Sequence, residues 1–238
     1  MIRYLDLTLD SAAANLACDE ALLEACEDGA GPEILRFWEP KERFVVVGFS
    51  NEVAREINLA ACRESGLGVF RRCSGGGTVL QGPGCLNYSL VLKIEDRAAL
   101  ATITGANRHI MERQRAALAG LLRRPVEVSG CTDLAIGGLK FSGNAQRRKR
   151  RALLFHGTFL LRFDLRLMDQ YLLMPSRQPE YRAGRPHDRF LMNLDVAAST
   201  IKDALREAWS AQTPLPSAPD CQRLIAEKYA REDWNLKF

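Results

Sequence analysis

Long apolar runs are missing from this chain of 238 residues. No window approaches the roughly 18 consecutive apolar residues that a spanning helix needs, so no membrane segment is expected. The opening MIRYLDLTLD is charged and strand-like, not a basic stretch running into an apolar one, so no signal peptide is visible and the cytoplasm is the expected compartment. Histidine is scarce: residues 109, 156 and 187 are too scattered for a catalytic transition-metal cluster. The seven cysteines, at 18, 26, 62, 73, 85, 131 and 221, are odd in number and form no C-x-x-C pair, which argues against a disulfide framework and a zinc site. A strong charge of one sign is also lacking. The 33 basic and 29 acidic residues leave +4, too mild to point to nucleic acid. Repeats and low-complexity tracts do not occur. What is present is 47% hydrophobic residues in a chain long enough for a substantial core, expected as a single domain over 1–238.

Periodicity divides the chain into helices and strands. Residues 11–28 read as an amphipathic helix started by a Ser or Asp cap, with Leu16, Leu22, Leu23 and Cys26 at helical spacing and Gly29 beyond its end. Strands are expected at 33–38 and 44–48, a short helix at 57–65, and a long helical pattern at 97–123 interrupted near Gly105. Leu86, Tyr88, Leu90 and Leu92 alternate as a strand does, and further strands are expected at 126–129, 135–136, 140–147 and 153–161. Residues 165–172 and 193–212 look helical. Between them, 174–188 is rich in Pro, Arg and Gly and reads either as a disordered connection or as a lid over bound ligand. Residues 214–219 read as a spacer before a terminal helix at 221–230. This order implies an α+β fold, a mostly antiparallel sheet flanked by helices.

Two stretches carry chemistry: 69–92, VFRRCSGGGTVLQGPGCLNYSLVL, and 133–146, DLAIGGLKFSGNAQ. A triple glycine lets backbone N–H groups approach an anion without Cβ collisions, and Arg71 and Arg72 before it add donors in fork geometry. A lone GGG is more often a solvated turn. Here it follows a β-like run and leads through Gly82-Pro83-Gly84 into the alternating strand, which pins it at a sheet end. Lys140 lies in a segment too apolar to make it ordinary surface decoration, and together the two stretches suggest a site for a phosphate and a carboxylate.

The run RRCSGGGTVLQGPGCLNYSL with KFSGNAQRRKRRALLFHGTFLL resembles the lipoate-protein ligase A family, within the wider biotin and lipoate ligase fold, clearly over 3–161 and more weakly afterwards. The resemblance implies a short form without the family's C-terminal accessory domain, so that a separate accessory subunit is a candidate partner. It implies ATP-dependent activation of lipoate, or of a close relative such as octanoate, as an acyl adenylate, followed by transfer to a lysine of an acceptor carrier protein. A carboxylate and a triphosphate repel by roughly 4 kcal/mol per unit-charge pair at about 4 Å and an effective dielectric near 20, so fixed cations must offset this. The family's lysine position falls on Lys140, the implied catalytic residue. For ATP and the adenylate the resemblance implies Arg71, Arg72, Gly77, Thr78, Val79, Leu80 and Lys140. For lipoate it implies Ser74, Gly75, Gly76, Lys140, Gly143, Asn144 and His156, the histidine near the acyl pocket rather than as a catalyst. Asp133 matches an acidic position that could meet Mg2+ on the phosphates, or it is simply a turn-forming Asp.

The chain also departs from the pattern. Gln81 stands where many ligases carry histidine, so an acid-base role there is not expected. Gly130-Cys131-Thr132-Asp133 replaces the common Gly-Arg-Asn-Asp. Relatives in the same fold are acyltransferases that move octanoyl groups with a cysteine nucleophile and no ATP, so Cys131 and Cys85 are the alternative nucleophiles, against the bland reading of both as small buried hydrophobes. Finally, Arg147, Arg148, Lys149, Arg150 and Arg151 make a run that is either a solvated hairpin tip or a docking patch for an acidic lipoyl-carrier protein. It lacks the interleaved aromatics of a nucleic-acid site.

Overall fold

The computed structural model describes residues 1–95 and 97–238. Its strands, in chain order, are β1 (Arg3–Asp6), β2 (Ile34–Trp38), β3 (Phe44–Val47), β4 (Gly68–Arg71), β5 (Val79–Gln81), β6 (Cys85–Lys93), β7 (Glu127–Ser129), β8 (Asp133–Ile136), β9 (Leu139–Arg148), β10 (Ala152–Leu160) and β11 (Thr213–Pro214). Eight of them form one sheet, ordered β11-β1-β2-β6-β10-β9-β8-β7, and β4-β3-β5 form a second. Antiparallel pairing prevails, as expected. The parallel exceptions are β1 with β2 and β11 at one edge, and β3 with β4.

Side-chain alternation gives the large sheet two buried faces. Leu35 and Phe37 of β2, Leu86, Tyr88, Leu90 and Leu92 of β6, and Leu153, Phe155 and Phe159 of β10 share one core with the long helix Ile103–Leu122 and the helix Ala198–Ala208. The intervening Ile34, Trp38, Val91 and Leu154 turn to the other face, against the first helix, Ala12–Glu27. That helix starts where expected because Ser11 Oγ accepts the Ala14 N–H. A third cluster fills the far side of the small sheet with Val53, Cys62, Met168 and Tyr171.

Several boundaries differ from the sequence reading. The break expected near Gly105 lies earlier, because Thr102 caps the long helix by accepting from Gly105 N, and Ala98–Leu100 form a separate turn before it. The helix expected over 193–212 shortens to Ala198–Ala208, and what looked like a spacer begins in β11, paired with Arg3 and Tyr4. The terminal helix resolves into Gln222–Leu224, a wide turn Ile225–Tyr229 and a further helix Glu232–Asn235. The 174–188 segment contains the turn Glu180–Arg182 and runs into the helix His187–Phe190.

Candidate active site

A cavity of about 730 Å³ opens between the two sheets and is covered by the 174–188 segment through Pro175, Arg177, Pro179 and Tyr181. Of the two expectations for that segment, the lid fits its position. A wider open groove of about 1180 Å³ runs between Ile103–Leu122 and Ala198–Ala208, but its walls are mostly alanine, glycine and balanced charge.

The glycine loop forms one wall, contributing Gly76, Gly77, Thr78, Val79 and Leu80. It is held by the end of β3: Phe49 N donates to Ser74 O at 2.8 Å, and Asn51 Nδ2 donates to Gly76 O at 3.1 Å. Gly48 makes this approach possible, since a Cβ there would lie 2.1 Å from Gly76 O. Gly76 itself is left-handed, φ +87°. Gly48 was not singled out from sequence, although a glycine closing the apolar run FVVVG was a usable signal.

The two arginines before the loop part company. Arg72 lines the cavity, and its guanidinium donates to Ser74 Oγ at 3.0 Å, Gly75 O at 2.6 Å and Gly77 O at 2.7 Å. All its hydrogen-bond acceptors are neutral, and burial pulls its pKa down to about 10. A desolvated cation that has no carboxylate in hydrogen-bond contact among the described residues favours an incoming anion. Arg71 is a correction. It is fully buried on the other side of the strand and donates to Gly48 O, Asn51 O, Trp234 O and Lys237 O, so it ties the C-terminal segment to the loop instead of facing the cavity. Strand alternation turns neighbouring arginines to opposite sides. Ser74 is fully buried and lies, with Gly75, behind the lining.

The opposite wall comes from the β8–β10 region: Cys131, Asp133, Lys140, Gly143, Asn144 and His156. Lys140 Nζ pairs with Asp133 Oδ1 at 2.8 Å, and Tyr181 donates its hydroxyl to Asp133 Oδ2 at 2.8 Å. Burial, followed by the neighbouring Asp133 charge, pushes the Tyr181 phenol well above its ordinary range, so it remains a donor. With both oxygens engaged, Asp133 is the counter-ion of Lys140 and stands on the cavity wall. No group of three metal-ligating side chains occurs among the described residues. Gly143 leaves room for the lysine, whose Nζ sits 2.7 Å from where a Cβ would be.

Asn144 is anchored on three sides: it donates to Thr132 O at 2.6 Å, accepts from Tyr88 Oη at 2.5 Å, and its backbone oxygen accepts from Thr132 Oγ1 at 2.7 Å. It thereby fastens the Cys131–Asp133 turn to β9. Gln81 closes a hydrogen-bonded triangle with Asn87 and Thr158, consistent with a residue that holds the wall and does not titrate. Leu16, Trp38, Val46 and Val79 supply apolar surface in the same cavity. His156 sits between Ser74 Oγ, 2.5 Å from its Nε2, and Asp19 Oδ2, 3.9 Å from its Nδ1. Asp19 in turn pairs with the buried Arg36 at 2.5 Å. Burial pushes the Asp19 carboxyl up, but Arg36 and His156 outweigh it and hold the group below its ordinary value. Neither Asp19 nor Arg36 was picked out, although a charge inside the apolar strand ILRFW was the available sign.

The cysteine candidates separate clearly. Cys85 is buried in the third core cluster, away from the cavity, with its thiol pushed up to about 12 by burial, so it is corrected to a packing residue. Cys131 is exposed and lines the cavity. The basic run is partly neutralised within the chain. Lys149 pairs with Glu24, Arg151 with Glu95, and Glu27 accepts the backbone N–H groups of Arg150, Arg151 and Ala152. Arg148 donates to Ala101 O, and Arg147 lies over the Phe49 ring. Of the five, Lys149 and Arg151 face carboxylates, while the side chains of Arg147, Arg148 and Arg150 have no carboxylate partner among the described residues, so part of the run stays available as surface charge at the hairpin tip.

The chain is 26% identical to lipoate-protein ligase A subunit 1 of Thermoplasma acidophilum, over 93% of this chain and 91% of that protein. It is 31% identical to the octanoyltransferase LipM of Moorella thermoacetica, over 98% and 96%. Among solved structures it resembles lipoate-protein ligase A bound with ATP, with a TM-score of 0.82, 25% identity and 98% of each chain covered. It also resembles the bi-partite lipoate protein ligase of Thermoplasma acidophilum studied with its E2 lipoyl domain, with a TM-score of 0.83, 25% identity and coverage of 98% and 95%. Residues 11–210 match the lipoyl protein ligase A/B catalytic domain, and the chain belongs to that family of lipoate ligases and octanoyltransferases.

Proposed function

We propose that this protein is an ATP-dependent lipoate-protein ligase, acting on lipoate or octanoate and passing the acyl group to a lysine of a lipoyl-carrier protein. The observation that carries the reading is the pair of cations on facing walls: Arg72, buried without a carboxylate partner beside the glycine loop, and Lys140 across the cavity. The apolar surface of Leu16, Trp38 and Val46 suits an acyl chain. Gly76, Gly77 and Thr78 are the residues that would meet the phosphates, and Thr78 Oγ1 is a buried oxygen without a partner among the described residues. In this reading the acyl carboxylate attacks the α-phosphorus and pyrophosphate leaves. The carrier lysine amine then attacks the acyl carbonyl and AMP leaves. Lys140 offsets the repulsion between the two anions in the first step. Magnesium belongs to the nucleotide it accompanies, and the carrier, with a separate accessory subunit, is the expected partner. Solution work is expected to place the enzyme in the cytoplasm.

One observation favours a second reading, an octanoyltransferase with a cysteine nucleophile: Cys131 is exposed on the wall that also carries Lys140. A single assay separates them. With lipoate, MgATP and labelled pyrophosphate, the ligase moves label into ATP; exchange survives Cys131→Ala and is lost in Lys140→Ala. Absent exchange, with carrier-to-carrier acyl transfer that requires Cys131, establishes the transferase.

A further inference from the structure

Two buried guanidiniums are joined across the cavity floor by three side chains. Arg36 pairs with Asp19 Oδ1, Asp19 Oδ2 lies 3.9 Å from His156 Nδ1, His156 Nε2 lies 2.5 Å from Ser74 Oγ, and Ser74 Oγ accepts from Arg72 Nε at 3.0 Å. The order Asp, His, Ser is that of a hydrolytic triad. Ser74, however, exposes none of its surface, and its oxygen already holds an arginine, so it is not placed to attack a substrate.

Hydrogen-bond inventory assigns the protons instead. Arg72 Nε can only donate, so Ser74 Oγ spends a lone pair there and its single O–H points to His156 Nε2. Nε2 then accepts, which leaves the ring proton on Nδ1, the nitrogen facing Asp19. With the opposite tautomer, Ser74 Oγ would face two donors and its own proton would lose its partner. We propose that His156 is a positioning residue for Arg72: its imidazole tautomer, favoured by the Asp19 charge 3.9 Å away and too distant for a direct hydrogen bond, aims the Ser74 hydroxyl, and through it holds the guanidinium that shapes the glycine loop. Arg72 needs this support because its other acceptors are carbonyls of the loop it shapes, Gly75 and Gly77, and Val46 O at 3.4 Å. The relay depends on the ligase reading only for the identity of the anion.

The test has three arms on the full chain. Long-range nitrogen-15 spectra are expected to show the Nδ1–H tautomer of His156; the Nε2–H tautomer overturns the proposal. Solvent exchange of the Arg72 Nε–H is expected to be slow in wild type and Ser74→Thr, and at least about tenfold faster in Ser74→Ala and His156→Ala; equal rates in all four overturn it. MgATP titration is expected to weaken by about ten- to a hundredfold in Ser74→Ala, with recovery in Ser74→Thr and octanoate affinity unmoved. Equal weakening for octanoate overturns it. If wild type binds no MgATP, the ligase reading fails, and the first two arms still decide the relay. Melting curves of Ser74→Ala and Ser74→Thr keep the comparison valid even where His156→Ala does not fold.

Discussion

Replacing Lys140 by methionine removes the charge while keeping an unbranched side chain of similar length. Among the described residues Lys140 Nζ pairs with Asp133, 2.8 Å away, with side-chain exposures of 24% and 14%. A pair that still touches water contributes little to folding, so the loss of stability is expected to be about 1 kcal/mol. In the proposed ligase reaction the same ammonium would face two anions that repel each other by roughly 4 kcal/mol at about 4 Å and an effective dielectric near 20. Removing it also leaves Asp133 as a third negative charge in the cavity. Losing a donor aimed at developing charge costs about a hundred- to a thousandfold in rate, so pyrophosphate exchange is expected to fall by at least that much. Urea unfolding and isotope exchange on the same preparation measure both numbers. Adding Asp133→Asn is expected to restore stability and only part of the rate, because the unpaired carboxylate is gone while the cation is still missing. Exchange within about threefold of wild type in the single variant would refute the role given to Lys140.

Three further outcomes follow from individual contacts. Gly143→Ala puts a Cβ within 2.7 Å of the flexible end of Lys140, so exchange is expected to fall at least about tenfold while the melting point barely moves. Gly157→Ala meets Asn144 Oδ1 at 1.9 Å and Gly143 O at 2.7 Å, and is expected to cost about 1–3 kcal/mol in urea unfolding. Asp19 has a folded pKa below its ordinary 3.8, so its contribution to stability is complete above that value and is lost as the pH falls through the depressed one. Melting points measured downward from neutral pH are expected to drop in that acid window, and less steeply in Asp19→Asn. Iodoacetamide at neutral pH is expected to add one label per chain, at Cys131, since the other six cysteines are buried; intact-mass spectrometry with peptide mapping counts it.

The glycine loop, the lysine strand and the alternation of β6 and β10 were legible because each is a local pattern: residue type and spacing carry the information. The same holds for the first helix, whose Ser11 cap and Gly29 stop stand in the sequence. The boundary near Gly105 was misread because Thr102, three residues earlier, decides where the helix begins. Identical neighbours were harder. Arg71 and Arg72 look equivalent until strand alternation sends one to the C-terminal segment and the other to the cavity.

By itself the sequence determined the family, the sheet-rich α+β architecture and the segments from which a cavity would be built, because these depend on periodicity and on motifs within a few dozen residues. Only the tertiary structure decided which side chains meet. Asp19, Arg36, Ser74 and His156 come from four separated stretches, and Tyr181 reaches Asp133 across 48 positions. Contacts of that range are set by how two sheets and a covering segment pack, and no spacing along the chain records them.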